Sequence, residues 1–196
     1  MVQTISLVIP PTINVTDDQF YQICAANREF RLERNAKGEI EIMPPTGGET
    51  SRQNSQICLE LGLWNRQTQA GIVFDSSGGF RLPNGANRSP DAAWIPLNKW
   101  NTLTPEERTK FLPFAPDFAL ELRSASDDLS PLQAKMQEYI ENGTRLGWLI
   151  NGQDRQVEIY RPRQMVEVLN DPLSLTGENV LSEFVLDLRV IWGESN

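Results

Sequence analysis

PDFALELRSASDDLSPLQAKMQEYIENG, residues 116–143, joins a strand to a helix in one run. The first part alternates. Phe118, Leu120 and Leu122 point to one face, and Ala119, Glu121 and Arg123 to the other. A carboxylate and a guanidinium on an otherwise apolar strand need solvent or partners. The second part has helical period from Pro131 to about Asn142, with Ser130 as expected cap, Gln133 as its box partner and Gly143 as terminator. Leu132, Met136, Tyr139 and Ile140 form its apolar stripe, and Lys135 lies on the shoulder of that stripe. Helical side chains lean toward the N-terminus, so Lys135 leans back toward a neighbouring strand. Snorkelling to water is the commoner fate of such a lysine.

Downstream, RLGWLIN (145–151) and VEIYRP (157–162) flank NGQDR, a hairpin signal with an Asn151–Gly152 turn. The remainder alternates weakly and adds edge strands. Upstream, Thr16 and Gln19 make a capping box before the helix DQFYQICAAN. FRLERNAKGEIEIMPP (30–45) reads as two strands around an Asn35–Gly38 turn. A Gly-rich loop then feeds a helix from Glu49 to Gln69, with Ile57, Leu61 and Trp64 on one face. IVFDSSGGFRLPNGANRSPDAAWIP (72–96) reads as three short strands. LTPEERTKF (103–111) reads as a small helix capped by Thr104 and Glu107. The pattern predicts an α+β fold with an α/β-type core, a mixed sheet flanked by helices. One domain over 1–196 is expected, with a core at about 43–160, an N-terminal helix and hairpin at 16–43, and C-terminal strands at 156–192.

Composition narrows the chemistry. The 196 residues contain no histidine, which removes Ser-His-Asp and Cys-His catalysis and histidine-ligated zinc. Cys24 and Cys58 are too few for a thiolate zinc site and read as reduced. Hydrolytic chemistry must therefore rest on carboxylates, lysines and arginines, with a hard metal such as Mg²⁺ as the natural helper. The net charge of −8 argues against a nonspecific DNA coat but not against a nucleic-acid enzyme with a local site. No basic leader or spanning segment is visible, so a cytoplasmic location is expected. Gly47–Gly48 and Gly78–Gly79 lack the Lys-Ser/Thr of a phosphate loop and read as turns. The five tryptophans lie on separate elements and read as packing.

Two readings of Glu121 stand at this point: a structural pair with Arg123, or a member of a carboxylate site with Asp91 of RSPDAAW and Lys135. SPDAAWIP (89–96), then PDFALELRSASDDL (116–129), then KMQEYIENGTRLGWLIN (135–151) resembles the Uma2 family of the PD-(D/E)xK restriction-endonuclease-like fold. The resemblance covers Met43 to Tyr160. It implies a Mg²⁺-dependent DNA endonuclease, with Mn²⁺ as substitute, in which Asp91 and Glu121 ligate the ion and the Leu122 carbonyl adds a further ligand. It places Arg123 where the motif lysine would stand. Arginine stays protonated, so it stabilises phosphate charge but cannot act as a base. The resemblance moves the amine to Lys135, on the following helix; chemically, a partly buried lysine with a pKa pulled down takes or directs the water's proton. Glu49 resembles the fold's additional helix acid, with Thr50 and Ser51 where family members often carry histidine. A homodimer suits cutting both strands of a duplex. The alternative is a catalytically silent member serving as a binding or assembly module.

Overall fold

Short alternating segments build three sheets in the computed structural model, which describes residues 4–10 and 12–194; residues 1–3, 11 and 195–196 of the expected single-domain span lie outside them. In chain order the elements are β1 (Ile5–Leu7), α1 (Asp17–Ala26), β2 (Arg31–Arg34), β3 (Ile40–Met43) and α2 (Gly48–Thr68). Then follow β4 (Gly71–Asp75), β5 (Phe80–Arg81), β6 (Asn87–Arg88), β7 (Ala92–Pro96) and α3 (Leu97–Asn101). The last group is β8 (Phe118–Arg123), α4 (Leu129–Glu141), β9 (Leu146–Asn151), β10 (Gln156–Tyr160), β11 (Glu167–Asn170), β12 (Ser174–Thr176), β13 (Val185–Asp187) and α5 (Leu188–Trp192).

The central sheet has the order β11-β10-β9-β8-β7-β4. Its β8–β9 pair is parallel and joined by α4; the other pairs are antiparallel. This is the mixed, helix-flanked α+β architecture that the alternation predicts. Phe118, Leu120 and Leu122 pack with Ile57 and Leu61 of α2 and Ile191 of α5 on one face. Ala93 and Ala119 pack with Met136 and Tyr139 of α4 on the other. The opposed faces expected of β8 are therefore both used, one by each helix layer. A second sheet, β1-β3-β2-β6-β5, contains the N-terminal hairpin. Met136 of α4 settles over Gly147 of β9, where an added Cβ would lie 2.5 Å from Met136 Cε and make that side chain shift.

Local differences from the expected pattern have specific causes. The Thr16–Gln19 capping box forms, and Gly38 takes φ +84 in the hairpin turn. Residues 72–96 make four strands rather than three, because the chain leaves one sheet at β6 and enters the other at β7, with Ser89-Pro90 between them. Thr104 and Glu107 do cap each other, yet only a 3-10 turn at Glu107–Thr109 follows. α4 starts at Leu129 after Asp128, and Gln133 bonds Glu158 Oε1 instead of boxing Ser130. The β9–β10 hairpin turns over Gly152–Arg155, with Asn151 still paired to Gln156 and Arg155 taking the positive φ of 51. The C-terminal end is not all strand: Asp187 caps α5 by accepting from the Arg189 N–H.

Candidate functional site

β7 and β8 pair with Ala92 opposite Leu120 and Ala93 opposite Ala119. Continuing this register sets Asp91 opposite Glu121 and Pro90 opposite Leu122. Both acids belong to the sheet face covered by α4. Pro90 has no N–H, so it cannot continue the ladder at Leu122. The Leu122 N–H instead donates to Asp91 Oδ2 at 2.9 Å. The Leu122 carbonyl points to the same edge and meets no amide from Pro90. Pro90 thus leaves the Leu122 N–H to hold the Asp91 carboxylate.

From the other side, α4 presents Lys135 and Tyr139 one turn apart. Lys135 Nζ lies 2.9 Å from Glu121 Oε1 and 2.8 Å from Glu33 Oε1. The Tyr139 hydroxyl donates to Glu121 Oε1 at 2.9 Å. Lys135 does not snorkel; it is only 8% exposed, and Glu121 3%. Two carboxylates hold the ammonium where an isolated one would seek water.

Glu33 comes from β2, well outside the 89–135 segment that carries the motif. It accepts the Ser89 N–H at 3.0 Å and pairs with Arg88 at 3.1 Å. Glu33 sits directly opposite Glu41, a like-charge pair that is unfavourable alone. Arg88 sits between them, pairing with Glu41 as well, and reaches Glu138 of α4 at 2.6 Å. Arg31, two residues before Glu33, places Nη1 3.2 Å from Asp91 Oδ1. The Arg31–Asp91 pair and the neighbouring cluster of Glu33, Glu41, Glu138 and Glu121 around Arg88 and Lys135 together hold five carboxylates and three cations, a formal charge of −2.

Burial and neighbours divide these groups. Burial pushes the Glu121 carboxyl up to about 7; Lys135 offsets part of this, while Asp91 and Glu33 add to it. Burial also opposes ionisation of Glu33, but Lys135, Arg88 and Arg31 outweigh it and bring the carboxyl down to about 2. For Lys135, burial favours the neutral amine, yet Glu121 and Glu33 overcome that and raise its pKa above the ordinary value. The expected lowering of the lysine pKa is therefore corrected: the fold keeps Lys135 an ammonium.

The structure brings Asp91, Glu121, Leu122 and Lys135 together and leaves two other sequence candidates outside. Arg123 pairs with Asp154 at 3.2 Å and donates to the Asp127 carbonyl, because it lies at the end of β8 where the loops converge. It does not pair with Glu121, so the structural-pair reading of those two fails. Glu49 is exposed at the start of α2 and bonds Arg52, which reaches the Val190 and Ile191 carbonyls. Glu33, Arg31, Arg88 and Tyr139 are the members that sequence reasoning missed. The signal was the charged alternation of RLER and EIE, which reads equally well as a solvated hairpin face.

Among the described residues no three carboxylates or thiols converge as a ready-made metal cage. The candidate donors are the Asp91 and Glu121 carboxylates and the Leu122 carbonyl, all oxygen. That fits Mg²⁺, which binds through one or two carboxylates and keeps several waters. The −2 network charge equals what one divalent ion would neutralise.

No curated protein shows significant similarity to the chain. In structure it is similar to a protein from Anabaena variabilis described as "a putative nuclease belonging to DUF820", with a TM-score of 0.72, 20% identity, and coverage of 85% of this chain and 92% of that one. At that identity the likeness establishes the fold. Residues 17–189 match the Uma2 family model, described as "Putative restriction endonuclease". The match spans most of the chain, including the hairpin that carries Arg31 and Glu33, and the chain therefore belongs to the Uma2 family, a family of restriction-endonuclease-like proteins.

Proposed function

We propose that this protein is a Mg²⁺-dependent endonuclease that hydrolyses phosphodiester bonds in DNA, with Mn²⁺ able to replace Mg²⁺. The observation that carries the reading is the junction at Glu121, where a buried carboxylate opposite Asp91 meets the Lys135 ammonium at 2.9 Å. Asp91, Glu121 and the Leu122 carbonyl would hold the ion. When bound, it would supply charge neutralisation at the phosphate and a more acidic water.

The chain's own groups do the positioning. Leu122 fixes Asp91 through the 2.9 Å hydrogen bond, and Tyr139 fixes Glu121. Lys135 donates to Glu33 and stands 2.9 Å from Glu121 Oε1, which leaves donor capacity for a phosphate oxygen or the attacking water. Because Lys135 stays charged, it serves as an electrostatic and orienting group rather than a base. Hydrolysis forms one P–O bond from water and breaks the P–O bond to the leaving sugar oxygen. Arg123 and Glu49 take no part in this scheme.

A silent binding module is the second reading, favoured by Arg31 resting on Asp91. Plasmid nicking with Mg²⁺ or Mn²⁺ separates the two. The wild type should nick, and Asp91→Ala should lose about 10²-fold or more of the rate. Nicking that persists unchanged in Asp91→Ala would remove the site; no nicking by wild type at either metal would favour the silent module.

A further inference from the structure

Asp91 has two carboxylate oxygens, and one is already used. Oδ2 accepts the Leu122 N–H at 2.9 Å, which leaves Oδ1 free of main-chain partners. Oδ1 carries the Arg31 guanidinium, with Nη1 at 3.2 Å. Arg31 also donates through Nη2 to the Ser89 carbonyl. Its Nε is buried with no hydrogen-bond partner. A guanidinium is held best when its rigid fork is matched, and here one of its donors is wasted. Its side chain keeps 29% exposure, so a route to water is open.

We propose that Arg31 is the resident counter-cation of this site: it occupies Oδ1 of Asp91 in the free protein, competes with the divalent ion for that carboxylate, and is displaced when the ion loads. The proposal rests on the two-carboxylate reading above and concerns only what happens at Asp91 Oδ1. Arg31 is one of the three cations set against the five carboxylates of the cluster, and the one that pairs with Asp91. A dication added beside a guanidinium on the same carboxylate meets repulsion that the protein interior screens less than water does. Lys135 cannot yield in its place, because Glu33 and Glu121 both hold it in a buried position. Arg31 is the more exposed of the two and the one with an unmatched donor. It is therefore a positioning residue that sets the threshold for metal loading.

The test is Mn²⁺ binding, followed by the spectroscopic signal of free Mn²⁺, on the full chain at pH 8. Wild type, Arg31→Met, Arg31→Gln and Asp91→Asn are compared, with near-ultraviolet circular dichroism as the check on folding. Both neutral variants should bind Mn²⁺ about tenfold more tightly or better, since a competing charge is gone. Adding Asp91→Asn to either should abolish the gain. Equal or weaker binding by folded Arg31 variants, with Asp91-dependent binding intact, overturns the competition and leaves the two-carboxylate site standing. If no protein in the set binds Mn²⁺ in an Asp91-dependent way, the site reading itself fails and the proposal with it. Should both neutral variants fail to fold, Arg31→Lys keeps the charge without the fork. Severalfold tighter Mn²⁺ binding then supports displacement, and unchanged binding overturns it.

Discussion

Replacing Glu121 with glutamine should make the metal-free protein more stable at pH 8, although it removes one partner of a buried ion pair. Glutamine keeps the size of the side chain and an acceptor for Tyr139, and Lys135 retains Glu33 at 2.8 Å. What disappears is a buried negative charge crowded by Asp91 and Glu33. The Glu121 carboxyl moves from 4.5 to about 7 on folding, and at ~1.36 kcal/mol per pH unit that interval is worth roughly 3 kcal/mol. Below pH 4.5 both folded and unfolded states are protonated at this residue, and no cost arises. Between 4.5 and about 7 the folded state holds the extra proton, so wild-type stability falls as pH rises. Above that window the loss is complete. Urea unfolding in the presence of a chelator, at pH 4, 6 and 8, measures the difference directly. The Glu121→Gln advantage should grow from near zero at pH 4 to about 2–3 kcal/mol at pH 8. A variant less stable than wild type at pH 8 would show that Glu121 is a net stabilising partner of Lys135, and would refute the reasoning.

Lys135→Met should destabilise the protein by about 3 kcal/mol at pH 8, because it leaves buried carboxylates without their shared cation. The same variant should lower nicking by about 10²-fold or more, which single-turnover assays with Mg²⁺ would measure. Glu33 works in the opposite pH window. Its carboxyl lies near 2 against 4.5 unfolded, so its stabilisation is present above pH 4.5 and lost as pH falls toward 2. Acid unfolding of Glu33→Gln should show a correspondingly flatter slope in that range. Arg123→Ala removes a pair whose acid, Asp154, is 64% exposed, so it should cost under about 1 kcal/mol in urea unfolding and leave nicking within about threefold.

Much of this architecture was legible because its elements are strongly periodic. The two faces of β8, the stripe of α4 and the hairpin around Gly38 follow from alternation, helical spacing and one glycine. A mid-strand Glu121 already asked for a partner, whereas Asp91 alone reads as an ordinary turn aspartate at a strand entrance and was singled out by the family resemblance. Caps were less secure. Ser130 and Gln133 have the right spacing for a box, yet Glu158 of β10 competes for Gln133, and only the folded sheet brings Glu158 there. The hairpin contribution was hidden for a related reason. Arg31 and Glu33 alternate with Leu32 as any solvated strand would, and nothing local says that Arg88 and Lys135 will cover that face.

The motif and its chemistry therefore have separate origins in the chain. Asp91, Glu121 and Lys135 lie within 89–135, but charges that act on Glu121 and Lys135 come from β2 and β6. Without Glu33, Lys135 would face one carboxylate in a buried setting, and the balance between desolvation and attraction would shift toward the neutral amine. With Glu33, the lysine is an ammonium before any substrate arrives. A chain carrying the same motif on a hairpin that lacks this acid should follow different proton chemistry at the same site. The comparison to make is the pH profile of cleavage in Glu33→Gln against wild type. Loss of the second carboxylate should let Lys135 deprotonate at lower pH, and activity that depends on the ammonium should then decline at lower pH than in the wild type. A profile unchanged by Glu33→Gln would mean that Glu121 alone sets the charge of Lys135, and the hairpin would be support for the fold rather than part of the site.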